Sequence, residues 1–417
     1  LGSGTTLLDA DLLLRLSVGI DLYPLAVLIS NCKYLHFSDD AYNCLNNTLI
    51  PNLDVLIYPD QLPMFSGLTG RTHAEDWRLQ DAWHKKWFQP DVLEKLVIIY
   101  EQIQLLQCPE AQLIATVSFS DVLRKFSNAS TKYPNVMFDK NAPKKSLPYK
   151  SFLETLRRNI EGLIKLKTKQ IPERFQPNII EGTNLSIPLN DDSIDAIITH
   201  PPYIAAIPYA EYGSLSLGWL GYDVKGIDKK LTGGKRQSKD VVERFLANYS
   251  AFFIESFRIL KKSKYMFIMV GNPTAHGKIV DLEKNSIELA SEAGYTHIDT
   301  AVVYHNEIGV GAGIRMSGAA REKLFVTSKL WNDVRGYDET LKEFGNSLKR
   351  LNMDYLDLFL IHWPRPIAFR DNYEEVNRET WRAFEHLLIE GYERAIGVCN
   401  FLPKHLQALL RQYRTEK

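Results

Sequence analysis

The chain has 417 residues, 45% of them hydrophobic and 24% charged, and its 50 basic side chains are matched by 50 acidic ones. That is enough apolar material for full cores in two or three domains, and it excludes a disordered or collagen-like chain. No window reaches the roughly 18 uninterrupted apolar residues of a membrane helix and no basic-then-apolar leader opens the chain, so a soluble cytoplasmic protein with no membrane partner is expected. The charge is segregated, with 11 Lys and Arg against four Asp and Glu from Lys132 to Arg174, a net of +7, and a second basic stretch from Lys225 to Lys239. Nucleic acid therefore stays open as a partner in spite of the neutral total. The four cysteines, at positions 32, 44, 108 and 399, show neither pairing rhythm nor zinc spacing. Reduced thiols and no metal site follow.

In chain order, Gly2-Ser3-Gly4-Thr5-Thr6 runs straight into a helical apolar pattern at Leu7, Leu8 and Leu12 to Leu14. A glycine turn that holds a cofactor normally follows a buried strand, so the chain reads as truncated at its start. Ser17 to Asp21 reads as a short strand ending in an acid, 19 residues beyond Gly2. That interval suits the carboxylate that accepts ribose hydroxyls in a nucleotide-binding unit. From about 72 to 170 the pattern is helical and aromatic-rich and predicts an inserted helical subdomain, with an exposed loop from Asn135 to Tyr149. Ser193 to Thr199 predicts a strand that leads into His200-Pro201-Pro202-Tyr203. The spacing then predicts a helix over 241–260 and a strand over 265–270.

After residue 281 a helix from Leu282 to Ala293 should stop at Gly294. Strands ending in polar residues follow at His297–Asp299, Leu324–Lys329, Leu356–His362 and Arg394–Asn400, with helices between them. Alternating strand and helix predicts a parallel sheet of the barrel type, whose active sites lie at the C-terminal strand ends.

Two constellations carry chemistry. In Thr199-His200-Pro201-Pro202-Tyr203 the prolines extend the backbone, so carbonyls are free to accept from a planar amino group while the aromatic stacks over it. With the GSGTT turn, the YAEYGSLSLGWLG stretch and Val270-Gly271-Asn272-Pro273, residues 1 to 280 resemble the S-adenosylmethionine-dependent DNA amino-methyltransferases. The resemblance implies a Rossmann-like sheet, with Gly2, Ser3 and Gly4 around the methionine part of the cofactor and Asp21 on its ribose. Asn184 would stand near the adenine. His200, Pro201, Pro202 and Tyr203 would hold a cytosine or adenine flipped out of DNA, and methyl transfer would be mainly a matter of positioning. The family usually has Ser, Asp or Asn where His200 stands.

The second constellation is Asp299, Tyr304, Lys329 and His362. A phenol is a weak acid near pH 7, and a neighbouring lysine cation kept in place by a carboxylate favours its ionised form. The stretches GYTHIDTAVVYHNE, LFVTSKLWN, LDLFLIHWP and RAIGVCNF resemble the aldo-keto reductases, which reduce carbonyls with NADPH in an eight-stranded barrel. The resemblance implies Tyr304 as proton donor, Lys329 and Asp299 as its tuners and His362 as orienter of a small carbonyl substrate. Trp363 would line the pocket and Asn400 would reach the nicotinamide amide. It spans residues 286 to 417, the first half of that family, so the expected fold class is α/β: a methyltransferase-like domain over 1–281 followed by a partial barrel of about four strands. Such a half-barrel leaves open sheet edges for self-association, and little NADPH binding is expected without the strands that follow. Three functions stay open: amino-methyl transfer to DNA, carbonyl reduction, and an inactive DNA-binding fusion.

Overall fold

Prolines start many of the helices, because a ring that fixes φ and lacks an N–H is tolerated in the first turn. Pro24–Lys33, Pro90–Gln104, Pro109–Phe126 and Pro148–Lys167 begin this way. Elsewhere carboxylates cap: the Asp81 side chain accepts from the His84 amide and Asp281 from the Lys284 amide, each at 3.0 Å. The computed structural model describes residues 2–35, 37–57, 76–133, 135–167, 177–202, 204, 208–232 and 240–414. Tyr203 lies outside the described residues, as do parts of both basic stretches. Among the described residues no helix is long and apolar enough to cross a membrane. The chain divides into two compact units, Leu1–Pro188 with Pro202–Val241, and Leu189–Pro201 with Val242–Lys417.

In the first unit, β1 (Val18–Asp21) pairs in parallel with β2 (Asn178–Glu181), Val18 opposite Asn178 and Asp21 opposite Glu181. Two four-residue strands cannot bury a core, and the helices do so instead. Leu45, Leu53, Leu96, Ile114, Phe119, Phe152 and Trp219 are all buried in one cluster. Helices between 76 and 167 are thus the body of this unit rather than an insertion into a sheet domain, since their apolar stripes face one another and the helix Ile50–Ile57. Trp219 sits edge-on to Phe88 at 5.4 Å, Phe119 at 5.2 Å and His84 at 5.2 Å between ring centroids, the geometry that aromatic quadrupoles favour.

In the second unit, β3 (Ile194–Thr199) pairs in parallel with β4 (Leu260–Ile268) through a register shift between Ile194 and Ala196. The expected Rossmann-like sheet does not form among the described residues; β1 pairs with β2 and β3 with β4, two by two. The beginning of β4 shows why this ladder is poor: Ser263 has φ 59°, and Lys261 and Lys264 lie 2.8 and 3.5 Å from Asp195 across the pair. Charged side chains and left-handed backbone leave little apolar face to stack. A short antiparallel pair, β5 (Thr274–Ala275) and β6 (Lys278–Ile279), follows.

The four-stranded sheet matches expectation. Strands β7 (His297–Asp299), β8 (Phe325–Leu330), β9 (Leu358–Ile361) and β10 (Ile396–Val398) are parallel and sequential neighbours. Helices cover one face, and Val326, Phe344, Phe359, Ile361 and Phe384 form their shared core. The helix Leu282–Ala293 ends at Gly294, whose φ of 110° only glycine adopts without strain and where a Cβ would lie 2.9 Å from the Phe257 ring. The Tyr249 hydroxyl also bonds Ser286 at 2.8 Å, and Phe257 packs against Tyr295. These contacts join the helix Val241–Ile259 to the barrel-like part, so the division between units falls at 241 and not near 281.

Candidate active site

The C-terminal ends of β7, β8 and β9 bring Asp299, Lys329 and His362 to one corner, because parallel strands in register place their last residues side by side. Lys329 is buried, and its ammonium is satisfied by the Asp299 carboxylate and by the Thr300 carbonyl at 2.9 Å. Tyr304 arrives on the short helix Val302–Tyr304, which His305 ends in the left-handed region at φ 54°. Thr300 Oγ1 donates to Asn306 Oδ1 at 2.6 Å and closes this loop. The Lys329 ammonium is 5.3 Å from the Tyr304 ring centroid, and Tyr304 itself is half-exposed.

His362 is buried, with the Tyr304 and Trp331 rings edge-on at 6.1 and 6.2 Å. Burial first, and then the Lys329 cation, hold its pKa below the usual imidazole value; Asp299 pulls the other way, and Arg335 adds a smaller lowering. The imidazole is therefore neutral at pH 7. Its Nδ1 is buried without a hydrogen-bond partner among the described residues. An orphaned acceptor is tolerated better than an orphaned donor, so the proton belongs on Nε2. Trp363 is half-exposed beside it. Asn400, at φ 61°, donates from Nδ2 to the His362 carbonyl at 2.8 Å, which leaves Oδ1 as the acceptor for an amide.

No motif in the sequence assigns a role to the residues that brace this corner. Arg335 donates to the carbonyls of Trp331, Val334 and Trp363 at 2.6 to 2.8 Å, tying together the loops after β8 and β9. Its burial pushes the guanidinium down to about 10. Glu307 accepts from Ser328 at 2.7 Å, next to Lys329, and from Arg350 at 2.6 Å. At the opposite end of the strands the fully buried Asp357 takes Arg321 at 2.7 Å, Arg394 at 2.9 Å and the Val326 amide at 2.8 Å.

The other constellation is divided. Gly2 and Gly4 have φ 56° and 79°, and a Cβ on Gly4 would lie 3.3 Å from Ser30 Cα, so a glycine is required there. The Gly2 amide donates to Asp21 at 3.3 Å and the Tyr23 amide at 2.9 Å. The Asp21 carboxylate thus already closes its own turn. Ser3 bonds Thr5 through their hydroxyls at 3.3 Å, and Asn184 lies in a turn beyond β2. His200 and Pro201 follow β3 in the second unit, whereas the glycine turn, Asp21 and Pro202 belong to the first.

Comparison with known proteins bears on one of these regions. The Aldo/keto reductase family matches residues 272–416, beginning before residue 286 and leaving the glycine turn and Thr199–Tyr203 outside it. Glyoxal reductase of Bacillus subtilis is 53% identical over 126 residues, 30% of this chain and 43% of that protein. Among solved structures, an aldo/keto reductase from Brucella melitensis is 48% identical over 32% of this chain and 49% of that one, with a TM-score of 0.30. The Bombyx mori aldo-keto reductase in complex with NADP is 38% identical over 33% and 47%, also with a TM-score of 0.30. The chain spans less than half the length of these relatives. Its C-terminal region, residues 272–416, is an aldo/keto reductase domain, and that match does not extend to the residues before it, for which the methyltransferase resemblance stays an expectation.

Proposed function

We propose that the domain at residues 272–416 serves the reduction of an aldehyde or ketone by NADPH, with small dicarbonyl compounds as the first substrates to try, since a relative bears the name glyoxal reductase. The observation that carries this reading is the meeting of Tyr304, Lys329, Asp299 and His362 at adjoining strand ends. A reduced nicotinamide, when bound, supplies the hydride. Its reacting end suits the donor set here: an exposed phenol, a neutral imidazole with its proton on Nε2, an indole and the carboxamide of Asn400. Tyr304 Oη gives the proton to the carbonyl oxygen. Lys329, held by Asp299 and Thr300, stabilises the phenolate left behind. His362 Nε2–H orients the carbonyl oxygen between Tyr304 and Trp363, and Trp363 screens it from water. The test is reduction of glyoxal with NADPH deuterated at the transferable position: the alcohol product should carry one deuteron, and a product without it would remove the proposal.

A second reading rests on the Gly2 to Asp21 turn: binding of S-adenosylmethionine, with amino-methyl transfer to cytosine or adenine in DNA. Isothermal titration with S-adenosylmethionine tests it, and absence of binding heat would end it. Among the described residues the outer strands β7 and β10 each have one strand neighbour in their sheet, and pairing of such edges between copies is the self-association we propose.

A further inference from the structure

Within the first unit an open cavity of about 620 Å³ lies where the helix Pro109–Phe126 gives way to the loop after it. Arg124, Lys125 and Lys132 supply cations to its wall, Ser130 and Thr131 supply hydroxyls, and Tyr133 supplies a half-exposed ring. Among the described residues of the wall the one acid, Asp121, is engaged by Arg158 at 2.9 Å.

A basic last turn alone would need no ligand, because Arg124 and Lys125 complement the negative end of the helix dipole. Arg124 also binds the Tyr133 carbonyl at 2.7 Å, and the Lys125 ammonium binds Ser151. The dipole does not account for the rest of the wall, since Ser130 to Tyr133 lie beyond the helix. Their backbone is held in place: Ser130 N donates to the Met137 carbonyl at 2.7 Å, and Ala129 bridges Phe138. Two hydroxyls, an exposed lysine and a ring on a braced loop, facing two helix cations, form a set with two functions. Cations and hydroxyls suit a phosphate, and a ring beside them suits the flat face of a base.

The geometry points to a nucleotide-binding site here, one phosphate against Lys132, Lys125 and the hydroxyls, with the base stacked on Tyr133. It is independent of the reductase reading. The same chemistry is offered by a free nucleotide and by one unit of a single strand, so both are used as probes: ADP in isothermal titration and fluorescein-labelled dT10 in anisotropy, on the full chain. At least one should bind. Lys132→Glu and Tyr133→Ala should each weaken it about tenfold or more, and Tyr133→Phe should bind like the parent, because stacking needs the ring and not the hydroxyl. Lys132→Ala should also flatten the salt dependence of dT10 binding by about one phosphate contact. Both positions are surface-exposed, and hydrogen-exchange protection of the helices Pro90–Gln104 and Pro109–Phe126 serves as the control that the unit carrying the site stays folded. Binding of ADP alone assigns a free nucleotide, and binding of dT10 alone assigns a strand. If neither probe binds, or Tyr133→Ala and Lys132→Glu bind like the parent, the site is refuted.

Discussion

The glycine turn and the strand-end corner each close on a carboxylate, and they close on it differently. Asp21 is reached by the amides of Gly2 and Tyr23, groups of its own turn. Asp299 is reached by Lys329, which the next strand brings from 30 residues away. In the first case the carboxylate is reached by backbone donors that shape the turn; in the second it is reached by a lysine side chain whose distance a four-stranded sheet fixes. A correct interval along the sequence therefore identifies a candidate residue, and hydrogen-bonded strands decide whether it becomes part of a site.

The strongest way to break this comparison is to remove the frame from one region only. Asp357→Ala strands Arg321 and Arg394 and empties a fully buried position. Losing one partner of a buried ion cluster typically costs about 3–5 kcal/mol. Hydrogen exchange should show β8, β9 and β10 losing protection while the helices Pro90–Gln104 and Pro109–Phe126 keep theirs. Equal loss in both would mean that the two units are not separately stabilised.

A second variant sharpens the picture of the same sheet. Burial pushes the Glu393 carboxyl up to about 9, and neither of its oxygens has a partner among the described residues. The folded form thus holds a proton that the unfolded form releases near 4.5. Stability is complete below that value, falls as pH rises, by at most about 1.4 kcal/mol per unit, and levels off near 9. Glu393→Gln should remove this slope and raise the urea midpoint at pH 8. An unchanged slope would contradict the protonated state.

Much of this second unit was legible in the sequence. The apolar period of Leu282–Ala293, its glycine stop and four strands ending in polar residues follow from local patterns, and the tetrad sits where those strands end. Partner choice between strands is long-range, so the two-by-two pairing of β1 to β4 was not legible. The boundary at 241 depends on Phe257 and Tyr249 packing against a helix that a local reading assigns elsewhere. Arg335 and Glu393 escaped because nothing in a charged residue's neighbours announces that it will be buried.

Two smaller effects separate the regions further. With the His362 pKa held down, the rate of carbonyl reduction should stay flat as pH falls through the ordinary imidazole range and drop only below it. A fall centred on the ordinary value would place His362 in solvent. Gly2 and Tyr23 bond different oxygens of Asp21, so Asp21→Asn keeps an acceptor for only one of the two amides and should cost about 1 kcal/mol in thermal unfolding. A larger loss would show that the glycine turn depends on charge as well as on hydrogen bonds.

The proposed reductase function rests on Tyr304, set beside Lys329, as the proton donor in carbonyl reduction. It is tested most directly by glyoxal-dependent consumption of NADPH by the full chain and by Tyr304→Phe, with circular dichroism as the check on folding. A positioned general acid is worth about 10²–10⁴ in rate, so the variant should fall by at least that lower figure with its fold intact. A parent chain that consumes no NADPH, or a Tyr304→Phe chain that consumes it at the parent rate, would contradict the account.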